Sequence, residues 1–214
     1  MAETTETRVR SRRRGFKDVY VAKVTKNTEA EYTTDIPVKL GKGISAKVSD
    51  KFTSDKIFGD DAVEEVVNSY EGSEIELELN TLAPQDRRDL LDNLYENGFL
   101  VKSGEDTPPE VAIGWCAKKG NGRYEFVWYY CGKFAEGIED TYETQEDKIK
   151  TQTNKLKGTF YARNKEVAIG EKKRKPYSIV VDEENLITEY VSAKASIDAW
   201  FKSVQEFTPD NQTP

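Results

Sequence analysis

The side chains that most often carry out chemistry in proteins are scarce in this sequence. The chain of 214 residues has no His and only two Cys, Cys116 and Cys131. It therefore lacks the commonest general base and the commonest metal ligand, and two cysteines alone cannot form a thiolate zinc site. The sequence predicts that the protein is not an enzyme and that it has no catalytic, cofactor-binding or metal-binding residues.

Three short motifs resemble functional motifs but lack the surrounding residues that those functions require. Adjacent carboxylates at 60–61 and 64–65 have no apolar pocket or partner base, so we interpret them as solvated charge. The glycine-rich segment 39–43 lacks the spacing of a phosphate-binding loop, which favours a turn. The basic run 172–175 resembles a nuclear import signal, but an apolar strand pattern resumes after Pro176, which favours a charged loop.

Charge is unevenly distributed along the chain. The formal net charge is -7, which is unusual for a general nucleic-acid binder. Residues 57–83 contain no Lys or Arg, and residues 134–147 are also acidic. Like charges on one strand face are destabilising, so this acidity serves either solubility or a repulsive wall along which a polyanion slides.

Residues 1–15 are predicted to form a flexible basic arm. Two interpretations remain open: a solvated tail, or an arm that orders on an acidic partner surface. The segment lacks the apolar core of a secretory signal, and no apolar run approaches the roughly 20 residues that span a bilayer. We expect no membrane contact and a protein made in a cytosol. The basic residues of the arm are Arg8, Arg10, Arg12, Arg13 and Arg14.

Beyond the arm, apolar residues alternate with a period of two, which predicts strands. Residues 53–61 lack any period and predict an exposed loop, and 71–73 predict a hairpin turn. Within 74–80, three acidic residues alternate with Ile75, Leu77 and Leu79, which indicates a half-buried strand. The predicted strands are 19–26, 43–52, 63–70, 74–80, 111–118, 124–134, 141–144, 149–162, 179–181 and 186–191.

The Asn121-Gly122 pair predicts a tight turn between two aromatic-rich strands. A two-residue turn would pair Trp115 with Trp128, and Ile113 with Tyr130. That register separates Cys116 from Cys131 by four positions, which is too far for a disulfide. Both thiols are therefore predicted to be free.

Two helices complete the expected fold. The first covers 84–97, opened by Pro84 and ended by Gly98; the second covers about 192–207 and carries Trp200. We predict a mainly β (α+β) chain with an N-terminal arm (1–15), a β domain (16–165), and a C-terminal extension (166–214) packed on the same domain.

Several blocks of this sequence are similar to the major tail proteins of siphophages, the long non-contractile-tailed phages, of Gram-positive bacteria. The similarity covers about 15–163, excluding the arginine-rich arm and nearly all of the C-terminal region. The blocks are Gly-Phe-Lys-Asp-Val-Tyr at 15–20, Trp-Tyr-Tyr-Cys-Gly-Lys-Phe at 128–134, Tyr-Glu-Thr at 142–144, Asp-Lys-Ile at 147–149, Gln-Thr at 152–153, Leu156, Gly-Thr-Phe at 158–160, Arg163 and the helix at 86–98.

The resemblance implies a tail-tube-type β-sandwich or barrel with one flanking helix and a C-terminal helix. Six subunits would form a ring, and rings would stack into a tube in the virion after synthesis in the host bacterial cytoplasm. The implied partners are other copies of the chain, the tape-measure protein inside the tube, the tail terminator, baseplate or tail-tip proteins, and DNA in transient, non-specific passage. No cofactor is implied.

The resemblance also directs attention to particular side chains. The candidate lumen-facing residues are Glu74, Glu76 and Glu78. The candidate inter-subunit residues are Arg8, Arg10, Arg12, Arg13, Arg14, Phe52, Asp55 and Phe58.

Two other functions compete with the tail tube. A single-stranded nucleic-acid-binding β-protein would use the arm to grip phosphates and the Trp and Tyr strands as a stacking platform. A sugar-binding β-sandwich would expose Trp115, Trp128 and Tyr130.

Overall fold

The fold was analysed in a computed structural model that describes residues 8–59, 62–144 and 152–210. As predicted, the chain is mainly β, with a large antiparallel sheet and two α-helices, α1 (Pro84–Leu91) and α2 (Val191–Asp198). The strands are β1 (Arg13–Asn27), β2 (Tyr32–Thr34), β3 (Val38–Lys39), β4 (Gly43–Gly59), β5 (Ala62–Leu79), β6 (Leu94–Glu96), β7 (Phe99–Val101), β8 (Val111–Lys119), β9 (Tyr124–Lys133), β10 (Ile138–Asp140), β11 (Asn154–Tyr161), β12 (Val167–Ile169), β13 (Lys172–Arg174) and β14 (Ser178–Asp182).

The main sheet has the strand order β2-β1-β8-β9-β11-β5-β4, with β3 beside β1, β10 beside β11 and β14 beside β9. One edge of β9 is shared, because β14 pairs with residues 125–129 and β11 pairs with residues 131–133. The sheet therefore forks at β9.

The main core lies on one face of this sheet and draws on five of its strands. Ile75, Leu77 and Leu79 of β5 are buried in it, which confirms the apolar face predicted for that strand. The other large members are Val19, Val21, Ile113, Trp115, Val127, Tyr129, Phe134, Leu156 and Phe160.

A second apolar cluster forms where the C-terminal segment covers the opposite face of β8 and β9. The buried Trp128 indole donates a hydrogen bond to the carbonyl oxygen of Trp200 at 2.9 Å. Phe201 stacks on Tyr20 with ring centroids 4.4 Å apart. Helix α2 ends at Asp198, so the prediction that it continues to 207 is wrong. Trp200 and Phe201 instead pack from the irregular segment that follows.

The predicted β8–β9 register is wrong by one residue: Trp128 pairs with Gly114, and Ile113 pairs with Tyr129. Gly122 has φ 87° and donates its N–H to the carbonyl oxygen of Lys119 at 3.1 Å. The loop therefore has three residues rather than two, a common hairpin type with a left-handed glycine. A one-residue slip changes which side chains share a face, so Trp115 and Trp128 lie in different clusters. Both cysteines are free, as predicted.

Helix α1 ends six residues before the predicted end. Asp92 adopts a left-handed conformation (φ 63°) and donates its N–H to the carbonyl oxygen of Arg88, which closes the helix. Residues 94–101 then form the β6–β7 hairpin, in which Asn97 and Gly98 both have positive φ. This is the geometry of an Asn-Gly hairpin turn, so Gly98 turns a hairpin and does not cap the helix.

The segment predicted as a loop at 53–61 and a turn at 71–73 is instead a single long hairpin. Strands β4 and β5 pair from Gly43↔Leu79 to Gly59↔Ala62, and residues 60–61 lie outside the described residues. A bulge between Lys51 and Phe52 leaves Glu71 as the extra residue. The predicted strands at 43–52 and 63–70 are confirmed, but 63–70 pairs with β4 and not with 74–80. Polar residues on both faces of 53–59 hide the rest of β4 from a test based on apolar alternation.

Smaller differences concern element boundaries. Strand β1 begins at Arg13, inside the predicted arm, and Lys172–Arg174 is a strand paired with β12 rather than a loop. No strand forms at 141–144 or 186–191, and Glu183–Asn185 is a 3-10 turn. The start of the predicted strand at 149 and the resembling block at 147–149 lie outside the described residues.

Candidate interaction surfaces

The β4–β5 hairpin extends well beyond the sheet. Strand β11 accompanies β5 only as far as the pair Phe160↔Ser73, and beyond it β4 and β5 pair only with each other. Eight further residues of β4 (52–59) would reach about 25 Å at roughly 3.3 Å per residue. We call residues 52–59 and 62–70 the projecting hairpin. Its exposed apolar side chains include Phe52, Ile57, Val66 and Val67, each more than 40% exposed.

The root of the projecting hairpin is fixed by aromatic contacts. The rings of Phe52 and Tyr70 meet edge to face, with centroids 5.5 Å apart, and Tyr70 stacks on Tyr177 at 4.0 Å. The Tyr70 hydroxyl lies 2.7 Å from that of Ser73, and burial raises the pKa of Tyr70 to about 12. Contacts with the body of the protein therefore fix the hairpin where it leaves the sheet. Beyond that point, within the described residues, only the pairing of β4 with β5 holds it.

The projecting hairpin is acidic. Asp55, Glu64 and Glu65 are exposed and have no ion pair within the described part of the chain, where Lys56 is the only cation of the hairpin. Asp60 and Asp61 fall between the two strands in the sequence but outside the described residues. The predicted contact residues Phe52 and Asp55 both belong to this hairpin, and Phe58 lies in the same strand.

The predicted arm lies partly along the body of the protein. Val9 and Asn185 form two hydrogen bonds: the Val9 N–H donates to Asn185 Oδ1 at 2.9 Å, and Asn185 Nδ2 donates to the Val9 carbonyl oxygen at 3.2 Å. The Ser11 N–H donates to Glu184 Oε1 at 3.1 Å. Residues 8–15 are thus held through backbone contacts, contrary to the prediction of a flexible arm. Residues 1–7 lie outside the described residues.

A buried lysine supports the turn that holds the arm. Lys119 Nζ forms hydrogen bonds with Asp182 and Glu184, and Glu125 pairs with Arg13 at 2.5 Å. Burial alone would lower the pKa of Lys119, but its two carboxylate partners outweigh that effect and raise it. The hydrogen bond from Lys119 lowers the pKa of Glu184 to about 2. The sequence does not reveal this network of ion pairs, because its residues come from three distant segments.

The arm and the β8–β9 turn together form a basic patch. The Gly120 N–H donates to the Arg12 carbonyl oxygen at 2.9 Å, and Lys118 pairs with Gly15, so the two segments lie side by side. Six exposed cations in this patch have no ion pair within residues 8–59, 62–144 and 152–210. We define the basic patch as Arg8, Arg10, Arg12, Arg14, Lys118 and Arg123; Arg13 is excluded because it pairs with Glu125.

The acidic face of β5 is balanced by lysines from its neighbours. Glu74 pairs with Lys51 at 2.7 Å and with Lys157 at 2.5 Å, and Lys47 pairs with Glu76 at 3.4 Å. Hydrogen bonds from Lys157 and Lys51 lower the pKa of Glu74 to about 2. This face is therefore a mixed-charge surface and not the purely anionic one indicated by residues 57–83 alone.

Glu78 completes that face through hydroxyl groups. It accepts hydrogen bonds from Thr153 at 2.8 Å and from Ser45 at 3.3 Å. The lysines of the flanking strands are Lys47 and Lys51 in β4, four positions apart, and Lys155 and Lys157 in β11, two positions apart. Lys155 has no ion pair within the described residues. The sequence contains these lysines, but it does not show which strands flank β5. Their pairing with the carboxylates of β5 could therefore not be predicted.

The aromatic side chains proposed for sugar binding are buried. Trp128 and Tyr130 are at most 1% exposed and Trp115 is 6% exposed, so the prediction of exposed rings is wrong. Arg163 covers Tyr130 and Tyr32 with its guanidinium group and pairs with Glu206 at 2.9 Å. The rings of Trp128 and Tyr130 hold the C-terminal segment in place.

Comparisons with known proteins add no further assignment. No model of a protein family matches the chain, and the search of curated proteins found no match. Among the described residues, no cluster of three or more Cys, Asp or Glu side chains is arranged to hold a metal ion. Neither α1 nor α2 has the length and apolar character needed to cross a membrane.

Proposed function

We propose that the chain is a structural subunit that self-assembles into hexameric rings, and that these rings stack as the tail tube of a long, non-contractile-tailed phage. The sequence blocks at 15–20, 128–134 and 152–163 support the family. The observation that carries the proposal is the projecting hairpin, which exposes large apolar side chains on an element that pairs with no further strand among the described residues.

Physical chemistry explains why such a hairpin requires a partner. An isolated two-stranded hairpin is marginally stable in water, and large apolar side chains such as Phe52 and Val66 gain free energy when another surface covers them. In the tube, copies of the chain would supply that surface. This role needs the burial and pairing of surfaces and no reacting group.

The edge of the sheet supports the same proposal. Strand β4 ends the strand order, and within the described chain its outer edge pairs with no other strand. Unpaired edges are templates for strands of another chain. In a ring of identical subunits each such edge would meet its neighbour, and the ring would close.

The candidate lumen surface is the outward face of β5 with Glu74, Glu76 and Glu78. Three of its four lysines are paired with carboxylates: Lys51 and Lys157 with Glu74, and Lys47 with Glu76. Most lysines of this face are paired, and Glu78 is bound by hydroxyl groups. The face would therefore offer passing DNA few free positive charges to bind. We therefore keep this face as the proposed lining of the channel.

The test is the assembly of purified protein, followed by sedimentation and negative-stain microscopy as concentration is raised. We expect six-fold rings and hollow tubes. In a matched variant, residues 53–69 are replaced by Asn-Gly between Phe52 and Tyr70; it should fold, because the main core is untouched, but remain monomeric. A wild-type protein that stays monomeric even with the phage's tail-initiation complex, or a shortened variant that assembles equally well, would contradict the proposal.

Single-stranded nucleic-acid binding remains the alternative function, and the unpaired cations of the basic patch favour it. That function also needs exposed rings for base stacking, whereas Trp115 and Trp128 are buried. Binding of a labelled oligonucleotide that weakens steeply with salt would support this alternative.

A further inference from the structure

We propose that the basic patch is the docking site for the projecting hairpin of a second copy of this chain. The inference rests on the proposed self-assembly and adds the identity of the receiving surface. It concerns the arginine-rich arm, which lies outside the resemblance to tail proteins.

Each of the two surfaces has charged groups without ion pairs within the described residues, and the two surfaces complement each other in charge. The basic patch presents six cations without ion pairs. The projecting hairpin presents Asp55, Glu64 and Glu65 against Lys56, and Asp60 and Asp61 lie between its two strands in the sequence. The chain has a net charge of -7, and the six cations of the basic patch outnumber the three of β13 (Lys172–Arg174), which are also exposed and have no ion pair within the described residues.

The carboxylates next to the basic patch are already engaged. Asp182 and Glu184 bind Lys119, and Glu125 binds Arg13. The cations of the patch therefore need carboxylates from elsewhere. Arginine forms two parallel hydrogen bonds to a carboxylate, which adds orientation to the attraction.

A second copy of the chain fits the basic patch better than nucleic acid does. The backbone of the arm is fixed along the body through Val9, Ser11 and Arg12, so the cations are presented on a formed surface. Tyr124, the aromatic ring beside the patch, is covered by Lys17 Nζ at 4.5 Å from its centroid and is not free to stack on bases. The hairpin brings apolar side chains as well as carboxylates.

A contact between two different surfaces of one chain is heterologous. Repetition of such a contact generates a closed ring or an open helical array, which are the two arrangements that a tail tube combines. The attraction between exposed charges is screened over about 8 Å at physiological salt. Assembly should therefore weaken as salt is raised.

The experiment is a charge exchange measured by sedimentation. Variant one carries Arg10→Glu, Arg12→Glu and Arg14→Glu; variant two carries Asp55→Lys, Glu64→Lys and Glu65→Lys. Each alone should raise the concentration needed for assembly at least about tenfold. Their equimolar mixture should assemble, because each variant then offers the surface that the other needs.

A control variant with Lys172→Glu, Lys173→Glu and Arg174→Glu changes the net charge by the same amount as variant one, in the exposed strand β13. It should assemble as the wild type does. Circular dichroism of each variant reports its folding, and the salt dependence of wild-type assembly provides a measurement that requires no substitution.

The outcomes separate the two proposals. If the wild type does not assemble, the proposed function fails. If it assembles but variant one behaves like the control, or assembly does not respond to salt, the docking site is wrong while the function stands. Binding of a labelled oligonucleotide that variant one abolishes, with assembly unchanged, would assign the patch to nucleic acid and overturn the inference.

Discussion

Phe52 and Tyr70 face each other across the β4–β5 ladder at the point where this hairpin leaves the sheet, with ring centroids 5.5 Å apart. On the body side, Tyr70 stacks on Tyr177. On the other side the ladder continues without a neighbouring strand. The pair therefore links the well-packed body to an extension whose stability depends on a partner.

Replacing Tyr70 with Ala should loosen the projecting hairpin. The change removes two aromatic contacts, each worth about 1 kcal/mol, and leaves the main core intact. Hydrogen exchange at residues 53–69 should speed up, while exchange in β8 and β9 should stay unchanged. Tyr142→Ala is the control, because Tyr142 is 86% exposed. Equal exchange in both variants would show that the root does not hold the hairpin.

Replacing Gly114 with Ala should destabilise the sheet. A Cβ at position 114 would lie 2.5 Å from Trp128 Cδ2, and Trp128 is fixed by its bond to Trp200. Overpacking of this kind costs about 1–3 kcal/mol, measurable as a lower urea midpoint. Gly104→Ala meets no atom within 4 Å and should have little effect. The opposite ranking would invalidate the pairing of Gly114 with Trp128.

The Lys119–Glu184 pair predicts how stability depends on pH. The folded pKa of Glu184 is about 2, below its ordinary value of 4.5, so the carboxylate stabilises the fold above about pH 4.5. That contribution is lost as pH falls from 4.5 towards 2. Glu184→Gln should therefore be less stable than the wild type at about pH 6, and the difference should shrink on acidification.

Urea midpoints across this range measure the effect. Glu189→Gln is the control, because Glu189 is exposed and has no ion pair within the described chain. A gap between wild type and Glu184→Gln that stays constant from about pH 6 to pH 2 would contradict the assignment.

The charge-balanced face of β5 predicts different outcomes for neutralisation and reversal. Changing Glu74, Glu76 and Glu78 to Lys would place lysines beside Lys47, Lys51, Lys155 and Lys157, and like charges across a ladder are destabilising. The triple Lys variant should unfold at lower urea than the triple Gln variant. The difference should shrink in high salt; equal midpoints for the two variants would mean that the lysines do not act on this face.

Particular residues show how far the sequence could lead. The alternation of Ile75, Leu77 and Leu79 with three Glu predicts a half-buried strand correctly, because a period of two has one structural explanation. The register of β8 and β9 was wrong because Asn121-Gly122 is compatible with loops of two or three residues. The hydrogen bond between Gly122 and Lys119 decides between them, and the sequence does not reveal it.

The candidate surfaces were predicted only in part. The sequence indicates Phe52, Asp55 and the arginines, but it predicts a loop at 53–61, because polar residues occupy both faces of that segment. It also pairs the predicted strand 63–70 with 74–80 and not with β4. Lys118 and Arg123 join the arginines only through the pairing of β1 with β8. Long-range pairing of this kind depends on tertiary contacts, which are not encoded in any single window of the sequence.

Cryo-electron microscopy of the assembled protein is the most direct test of self-assembly into a tail tube. We predict a hollow tube of stacked six-membered rings, with the projecting hairpin of each subunit in contact with another subunit and Glu74, Glu76 and Glu78 on the inner wall. Particles without six-fold rings, or tubes in which the hairpin touches only solvent, would contradict the account.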